Sequence, residues 1–343
     1  MFLLALFILA SQTVTGLPYH QRSVLWNTLA GIPISPRQEH ATVALEDSVY
    51  ILGGVVPDPS NTSIYLTTDL VQRYNIREDT WNTLASMPIA LNHVNAATVD
   101  GKLYVLGALA VASDGAWRAT TEASFVYDPS EDAWDVLGSI PIEHARGSAS
   151  VGVHGTSVHL AGGMRILHAV QGGEQDTVDT VSIYDTLTDT WTSAPGAAAA
   201  LPEGRNHACS AVVNQTFFVI GGRTEGQVNV KDTVFTLDLE DPAAGWSTRS
   251  SRMPTARGGL ACGTVENAVY TFGGEGNPAN GSKGVFDQVE KYDTLADRWT
   301  ELAPMPTPVH GTYAAAVSNA IYVPGGGISI GGAAISTLQV LAV

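Results

Sequence analysis

Four arginines of this 343-residue chain, Arg37, Arg146, Arg205 and Arg257, each stand 16 residues before the first glycine of a Gly-Gly pair. Histidines gather near the same point, His40, His93, His144, His207 and His310, accompanied by Glu39, Glu143, Glu203, Asn92 and Asn206. Guanidinium forks grip planar oxyanions, and imidazole and carboxylate groups move protons near neutral pH. Four guanidiniums around one opening repel one another unless carboxylates or an anionic ligand meet them. The set therefore predicts a site for an anionic or polyoxygenated small molecule. Glu39, His40, His93, His144, His207 and His310 are its candidate catalytic groups, and Arg37, Arg146, Arg205, Arg257 and Asn206 its candidate binding groups. The plainer reading is that each arginine bridges neighbouring units of the fold.

Other chemistries are disfavoured. There is no phosphate loop, dinucleotide fingerprint or nucleophile elbow. The histidines lack the paired spacing of metal ligands, so neither a metal nor another cofactor is expected. A formal charge of −16, from 17 basic and 33 acidic side chains, argues against a nucleic-acid partner. With 45% hydrophobic and 15% charged residues the chain is too apolar for disorder. Two cysteines are too few for a zinc cluster or a disulfide scaffold. Cys209 and Cys262 fall at what reads as the same position of neighbouring repeats, which implies buried free thiols.

The elements that position these residues repeat along the whole chain. Tryptophans recur at Trp26, Trp81, Trp134, Trp191, Trp246 and Trp299, spaced 53 to 57 residues apart. Glycine pairs stand at Gly53-Gly54, Gly162-Gly163, Gly221-Gly222, Gly273-Gly274 and Gly325-Gly326, with Gly107-Ala108 filling the gap. Tyr74, Tyr127, Tyr184 and Tyr292 each precede a tryptophan by seven residues. Alternation and turn residues divide each copy into four short antiparallel strands, the unit of a propeller blade. The first strand of each copy is rich in Ala, Gly and Ser, which suits the crowded axis. The last copy lacks a tryptophan strand and the first begins with an orphan one around Trp26, so the amino-terminal strand is expected to close the ring.

Connections are unequal. Turns after the first strand are tight, whereas the segments after the glycine pairs are long, as at Val55 to Asp69, Leu109 to Thr121 and Met164 to Val178. Long loops on a rigid scaffold carry binding and chemistry. Trp117, Met164, Ile166, Leu167, Val170, Tyr65 and Leu66 give them an apolar wall above the polar anchors, and Trp117 and Met164 join the candidate substrate-binding set.

The glycine pairs, the tyrosines and the tryptophans resemble those of the kelch family over the chain from about Leu25 onward. That resemblance implies an all-β, six-bladed kelch β-propeller over residues 18–343. Within the family the chain resembles secreted fungal hetero-Diels–Alderases, which join a tropolone-derived quinone methide to a terpene without a cofactor. This implies a secreted, cofactor-free cyclase of secondary metabolism. A ring His or Glu would expel water from a hydroxymethyl tropolone, and an arginine would hold the tropolone oxygens. Trp117 and the third loop would seat the hydrocarbon, and holding two reactants together would supply most of the acceleration. Two alternatives stay open: an enzyme like the bacterial kelch sialic-acid mutarotases, and a non-catalytic kelch receptor for an acidic peptide or glycan. The copper site of galactose oxidase and the spaced iron ligands of plant specifier proteins have no counterpart.

Residues 1–17 read as a secretory signal, an apolar run too short to span a bilayer followed by small polar residues. Three sequons, at Asn61, Asn214 and Asn280, fit passage through a glycosylating pathway. A secreted or vesicular protein with no membrane span is expected.

Overall fold

A computed structural model describes residues 25–168 and 173–343, apart from the side chains of residues 62 and 63. The expected signal segment and Val170 lie outside the described residues. Six four-stranded antiparallel sheets each carry one copy of the repeat. Their inner strands are Ala41–Leu45, Ala96–Val99, Ser150–His154, Cys209–Val213, Ala261–Val265 and Ala315–Val317. Each inner strand neighbours the next, and the last neighbours the first, around a common axis. The fold is a β-propeller. Leu25–Leu29 pairs with Leu338–Ala342 as the outer strand of the sixth sheet, with Trp26 opposite Leu341, so the amino-terminal strand closes the ring. No helix among the described residues is long and apolar enough to cross a membrane.

The sequence markers have separate mechanical duties. Each repeat tyrosine is buried against its tryptophan, with centroids 5.2, 5.0, 5.1 and 4.8 Å apart for Tyr74–Trp81, Tyr127–Trp134, Tyr184–Trp191 and Tyr292–Trp299. The tyrosine hydroxyl donates to an aspartate five residues on, Asp79, Asp132, Asp189 or Asp297, at 2.6–2.8 Å. A buried hydroxyl must find such a partner. At Gly273, whose φ is +56°, a Cβ would meet the Val309 carbonyl oxygen of the next blade at 2.1 Å, so the position tolerates only glycine.

At the entrance to the inner strands the backbone closes a ring of its own. Glu39, His93, Ser148, His207, Gly259 and Gly311 are equivalent residues, one per blade, all left-handed with φ between +50° and +61°. Each donates its N–H to the carbonyl of the preceding one: His93 to Glu39, Ser148 to His93, His207 to Ser148, Gly259 to His207, Gly311 to Gly259, and Glu39 back to Gly311. These six bonds, at 2.6–3.4 Å, encircle the axis. On one side of them the inner strands enclose an axial channel of about 300 Å³, lined by Ala41, Val94, Ala97, Val151, Cys262 and Ala315 among others.

Two expectations need correction. The long segments after the glycine pairs are not open loops. Val55–Asp58 and Asn61–Thr67 form a hairpin, as do Gly327–Ser329 and Gly332–Ala334, and the strands of the second and third copies join in one extra four-stranded sheet. Cys209 and Cys262 form a disulfide, with Cα atoms 5.6 Å apart. Their positions are not equivalent: Cys209 lies opposite Ile220, next to its glycine pair, whereas Cys262 lies opposite Thr271, one register further along. Successive strand residues point to opposite faces, so that one-residue offset turns the two sulfurs toward each other across the blade boundary.

Candidate functional site

The four arginines do not line the mouth of the channel. Each is 0–1% exposed and turns its guanidinium into its own blade. Arg146 donates to the carbonyls of Gly162, His144 and Leu160 and to Ser182 Oγ at 2.6–2.9 Å. Arg205 donates to Gly221 O and Thr233 Oγ1 and pairs with the exposed Glu203 at 2.9 Å. Arg257 reaches Gly273 O at 2.7 Å and Glu290 at 2.6 Å, and Arg37 donates to Leu70 O and Gln72. Their own carbonyls accept from the preceding blade: Gly326 N–H donates to Arg37, Gly163 to Arg205 and Gly222 to Arg257. The guanidiniums fasten the interior of each blade, so neither sequence reading holds for the side chains, and the bond to the preceding blade is made by the backbone carbonyl. The mutual repulsion inferred from sequence is absent because the guanidiniums face outward into separate blades. Burial pushes the Arg146 pKa down to about 9 and that of Arg37 to about 10, values that leave both charged at neutral pH.

His144 and His40 also belong to the scaffold. His144 is hydrogen-bonded to Ser182 Oγ at 2.9 Å and stacks on Trp191. His40 is buried beside Thr312, and Glu143 is exposed. His310 does not match His93, as the sequence spacing suggested; it lies one residue before the left-handed position, in register with Asn92 and Asn206.

The structure brings together Glu39, His93 and His207, the side chains of three left-handed ring positions. Glu39 Oε2 lies 3.2 Å from His93 Nε2 and 3.6 Å from His207 Nε2, and the two imidazole nitrogens are 3.1 Å apart. Gly311 makes room for them, since a Cβ there would meet Glu39 Oε1 at 2.4 Å. The Nδ1–H of each histidine donates to the side-chain oxygen of the residue before it, Asn92 or Asn206, at 2.6 Å. Those amides donate in turn to Thr67 Oγ1 at 2.8 Å and Thr177 Oγ1 at 2.6 Å.

Beside this trio stands a buried ion pair that sequence reasoning missed. Arg223 and Glu275 follow directly after their glycine pairs, where other copies carry Val55, Leu109, Met164 and Gly327. That break in the repeat was the available signal. Arg223 pairs with Glu275, takes Gln175 Oε1 as a second acceptor, and places Nη2 3.1 Å from His207 Nε2. His310 Nε2–H donates to Ser329 O at 2.7 Å, while its Nδ1 faces Glu275 at 3.5 Å. Tyr313, also missed, lines both the axial channel and a chamber beside Glu39 and His207 with room for about one water.

The cluster is closed off from solvent: Glu39 is 8% exposed, and His93, His207, Arg223, Glu275 and His310 are 1–4% exposed. Burial pushes His207 down to about 3, helped by Arg223, and His93 down to about 4. Burial works against the Glu39 carboxylate, yet the imidazoles of His93, His207 and His310 hold it below the usual carboxylate range. Arg223 is pushed down to about 10 and Tyr313 up to about 12, both chiefly by burial. A carboxylate, neutral imidazoles and a guanidinium therefore share one dry site, equipped to accept a proton and to steady an oxyanion.

The apolar wall lies on the opposite side of the ring. Trp117 pairs with Leu167 in the extra sheet and stands 5.5 Å from His93, and it packs with Leu109, Met164 and Leu167. A ligand-sized space was expected above the polar anchors. The cavity that could hold one is instead the axial channel beneath them, because the hairpins fold down over the ring. The three sequon asparagines are exposed, Asn214 in a tight turn and Asn61 and Asn280 on the hairpin side.

Comparison with known proteins agrees with this architecture. Residues 36–88 match the family described as Kelch motif, and residues 167–326 match the KLHDC2/KLHL20/DRC7 Kelch-repeats domain. The chain is 38% identical to Kelch-like protein terF of Aspergillus terreus over 318 residues, covering 92% of this chain and 67% of the relative. It is 27% identical to Beta-scruin of Limulus polyphemus over 87% of its length, but spans only 31% of that protein. The solved structure of YjhT superposes with a TM-score of 0.70 at 18% identity, covering 90% of this chain and 95% of that one, a likeness of fold.

Proposed function

The chain belongs to the kelch-repeat family, and we propose that within it this protein is a small-molecule enzyme of fungal secondary metabolism, of the hetero-Diels–Alderase type. The observation that carries the reading is the buried Glu39–His93–His207–Arg223 cluster, with Tyr313 lining both the axial channel and the small chamber beside Glu39 and His207. Its first step would remove water from a hydroxymethyl group beside a ring hydroxyl. The hydroxyl gives up its proton to the acceptors of the cluster, the departing oxygen takes up a proton and leaves as water, and a quinone methide remains. A [4+2] addition to an alkene then forms the new ring without loss of any atom. Arg223 would steady the ring oxygen by turning Nη2 from His207 toward it. The walls of the channel offer a bed for the hydrocarbon, and holding the two partners together lowers the barrier further. The likeness to a fungal kelch-like protein over most of the chain supports the biological setting.

The same reading places the protein in the secretory pathway. The Cys209–Cys262 disulfide fits an oxidising compartment, and the exposed sequons fit glycosylation there. The test is incubation of purified glycosylated protein with a hydroxymethyl tropolone and a sesquiterpene. The expected result is faster formation of one adduct, slowed at least about 100-fold in His207→Gly. Product ratios and rates equal to those in buffer would end the reading.

A further inference from the structure

Three hydrogen-bond acceptors converge in the axial trio with no hydrogen of their own to share. The side-chain oxygens of Asn92 and Asn206 can only accept, so each facing histidine carries its hydrogen on Nδ1 and points a bare Nε2 lone pair inward. The Asn206 amide is locked in that sense, because Thr177 Oγ1 also accepts from Glu225 N–H and gives its own hydrogen to Gln175 O. The inward lone pairs of His93 and His207 meet each other at 3.1 Å and the Glu39 carboxylate at 3.2 and 3.6 Å. Lone pairs held this close repel one another, and Arg223 Nη2, 3.1 Å from His207 Nε2, meets only one of them.

We propose that Glu39, His93 and His207 bind a first-row divalent metal ion, of the zinc, cobalt or iron(II) class, on the propeller axis. The geometry fits. Three atoms with those separations lie on a circle of radius roughly 1.9 Å, so an ion just off their plane reaches all three at about 2.0–2.2 Å. Two imidazoles and one carboxylate suit this class of ion. A ligating histidine that donates its other N–H to a fixed oxygen is the usual outer support of a metal site, and both histidines have one. Charge also agrees. Glu39 and Glu275 bring two negative charges and Arg223 one positive, so the buried site has room for added positive charge. Arg223 competes for the His207 lone pair, but its Nε and Nη1 stay tied to Gln175 and Glu275 when Nη2 is displaced. Sequence spacing gives no sign of this trio, because ring closure, not sequence, sets the distance between blades.

This inference goes beyond the functional reading and uses no organic substrate. Chelator-treated full-length protein is titrated calorimetrically with Zn²⁺, and Co²⁺ is followed by its visible absorption. One equivalent per chain is expected. Glycine is the natural occupant of the equivalent position in two blades, so His93→Gly and His207→Gly keep the backbone conformation. Each should weaken binding at least about 100-fold, and Asn206→Ala, which removes only the outer support, by about 10-fold. Arg223→Met should tighten it. Absence of a saturable equivalent, or equal binding by wild type and His207→Gly, overturns the proposal. Tight metal binding without adduct formation would leave it standing and sink the functional reading, and adduct formation without metal binding would do the reverse.

Discussion

The repeat arginine and the left-handed ring residue are two positions apart, as in Arg37 and Glu39 or Arg205 and His207, and they do opposite work. The arginine side chain turns outward and is enclosed by carbonyls of its own blade, while its backbone carbonyl accepts from the preceding one. The ring residue turns inward and meets the side chains of other blades on the axis. Four of the six copies put arginine at the first position, and the other two put Leu91 and Val309 there, whose carbonyls accept the same bond from the preceding blade. The second varies among Glu, His, Ser and Gly because only the axis as a whole constrains it. Uniformity around a propeller therefore marks scaffold, and departure from the repeat marks the site.

The largest effect that would sharpen this contrast is on stability. Arg146→Ala strands several buried carbonyls and is expected to cost about 4 kcal/mol, measured by denaturant unfolding. A loss below about 1 kcal/mol would show that the guanidinium does not hold its blade together. The same assay on His207→Gly should show a change within about 1 kcal/mol, since glycine relaxes a left-handed position. If both substitutions unfold the protein equally, the two positions do not differ in kind.

A further effect concerns pH and a histidine of the scaffold. His159, on the strand Ser157–Ala161, is pushed down to about 4, mainly by burial, from an unfolded value of 6.5. Between those values the unfolded chain binds more protons, so its contribution to stability is complete above pH 6.5 and is lost as pH falls. The slope is about 1.4 kcal/mol per pH unit. His159→Gln should flatten the urea unfolding free energy against pH by that amount, and an unchanged slope would show that His159 does not carry it.

Glu39, His93 and His207 were legible as residue types, because Glu39 and His207 each follow a repeat arginine and His93 stands at the matching point of a copy that carries Leu91 instead. Their shared backbone conformation was not, since nothing in a single copy distinguishes a left-handed Glu39 from an ordinary one. Arg223 and Glu275 were legible only as breaks in an apolar position, and Tyr313 carried no local signal. The disulfide was misread because a one-residue offset in register, invisible in approximate repeat counting, reverses the direction of a side chain.

The sequence by itself determined the repeat, the four-stranded unit, the closure by the amino-terminal strand and the all-β propeller, because tyrosines, tryptophans and glycine pairs act within a copy or on its neighbour. Which polar residues meet was decided only by the tertiary structure. Ring closure sets residues as far apart as Glu39 and His207 within 3.6 Å while turning the arginines beside them away. Contacts across an axis depend on register and on the sign of φ in several blades at once, and no local pattern encodes their sum.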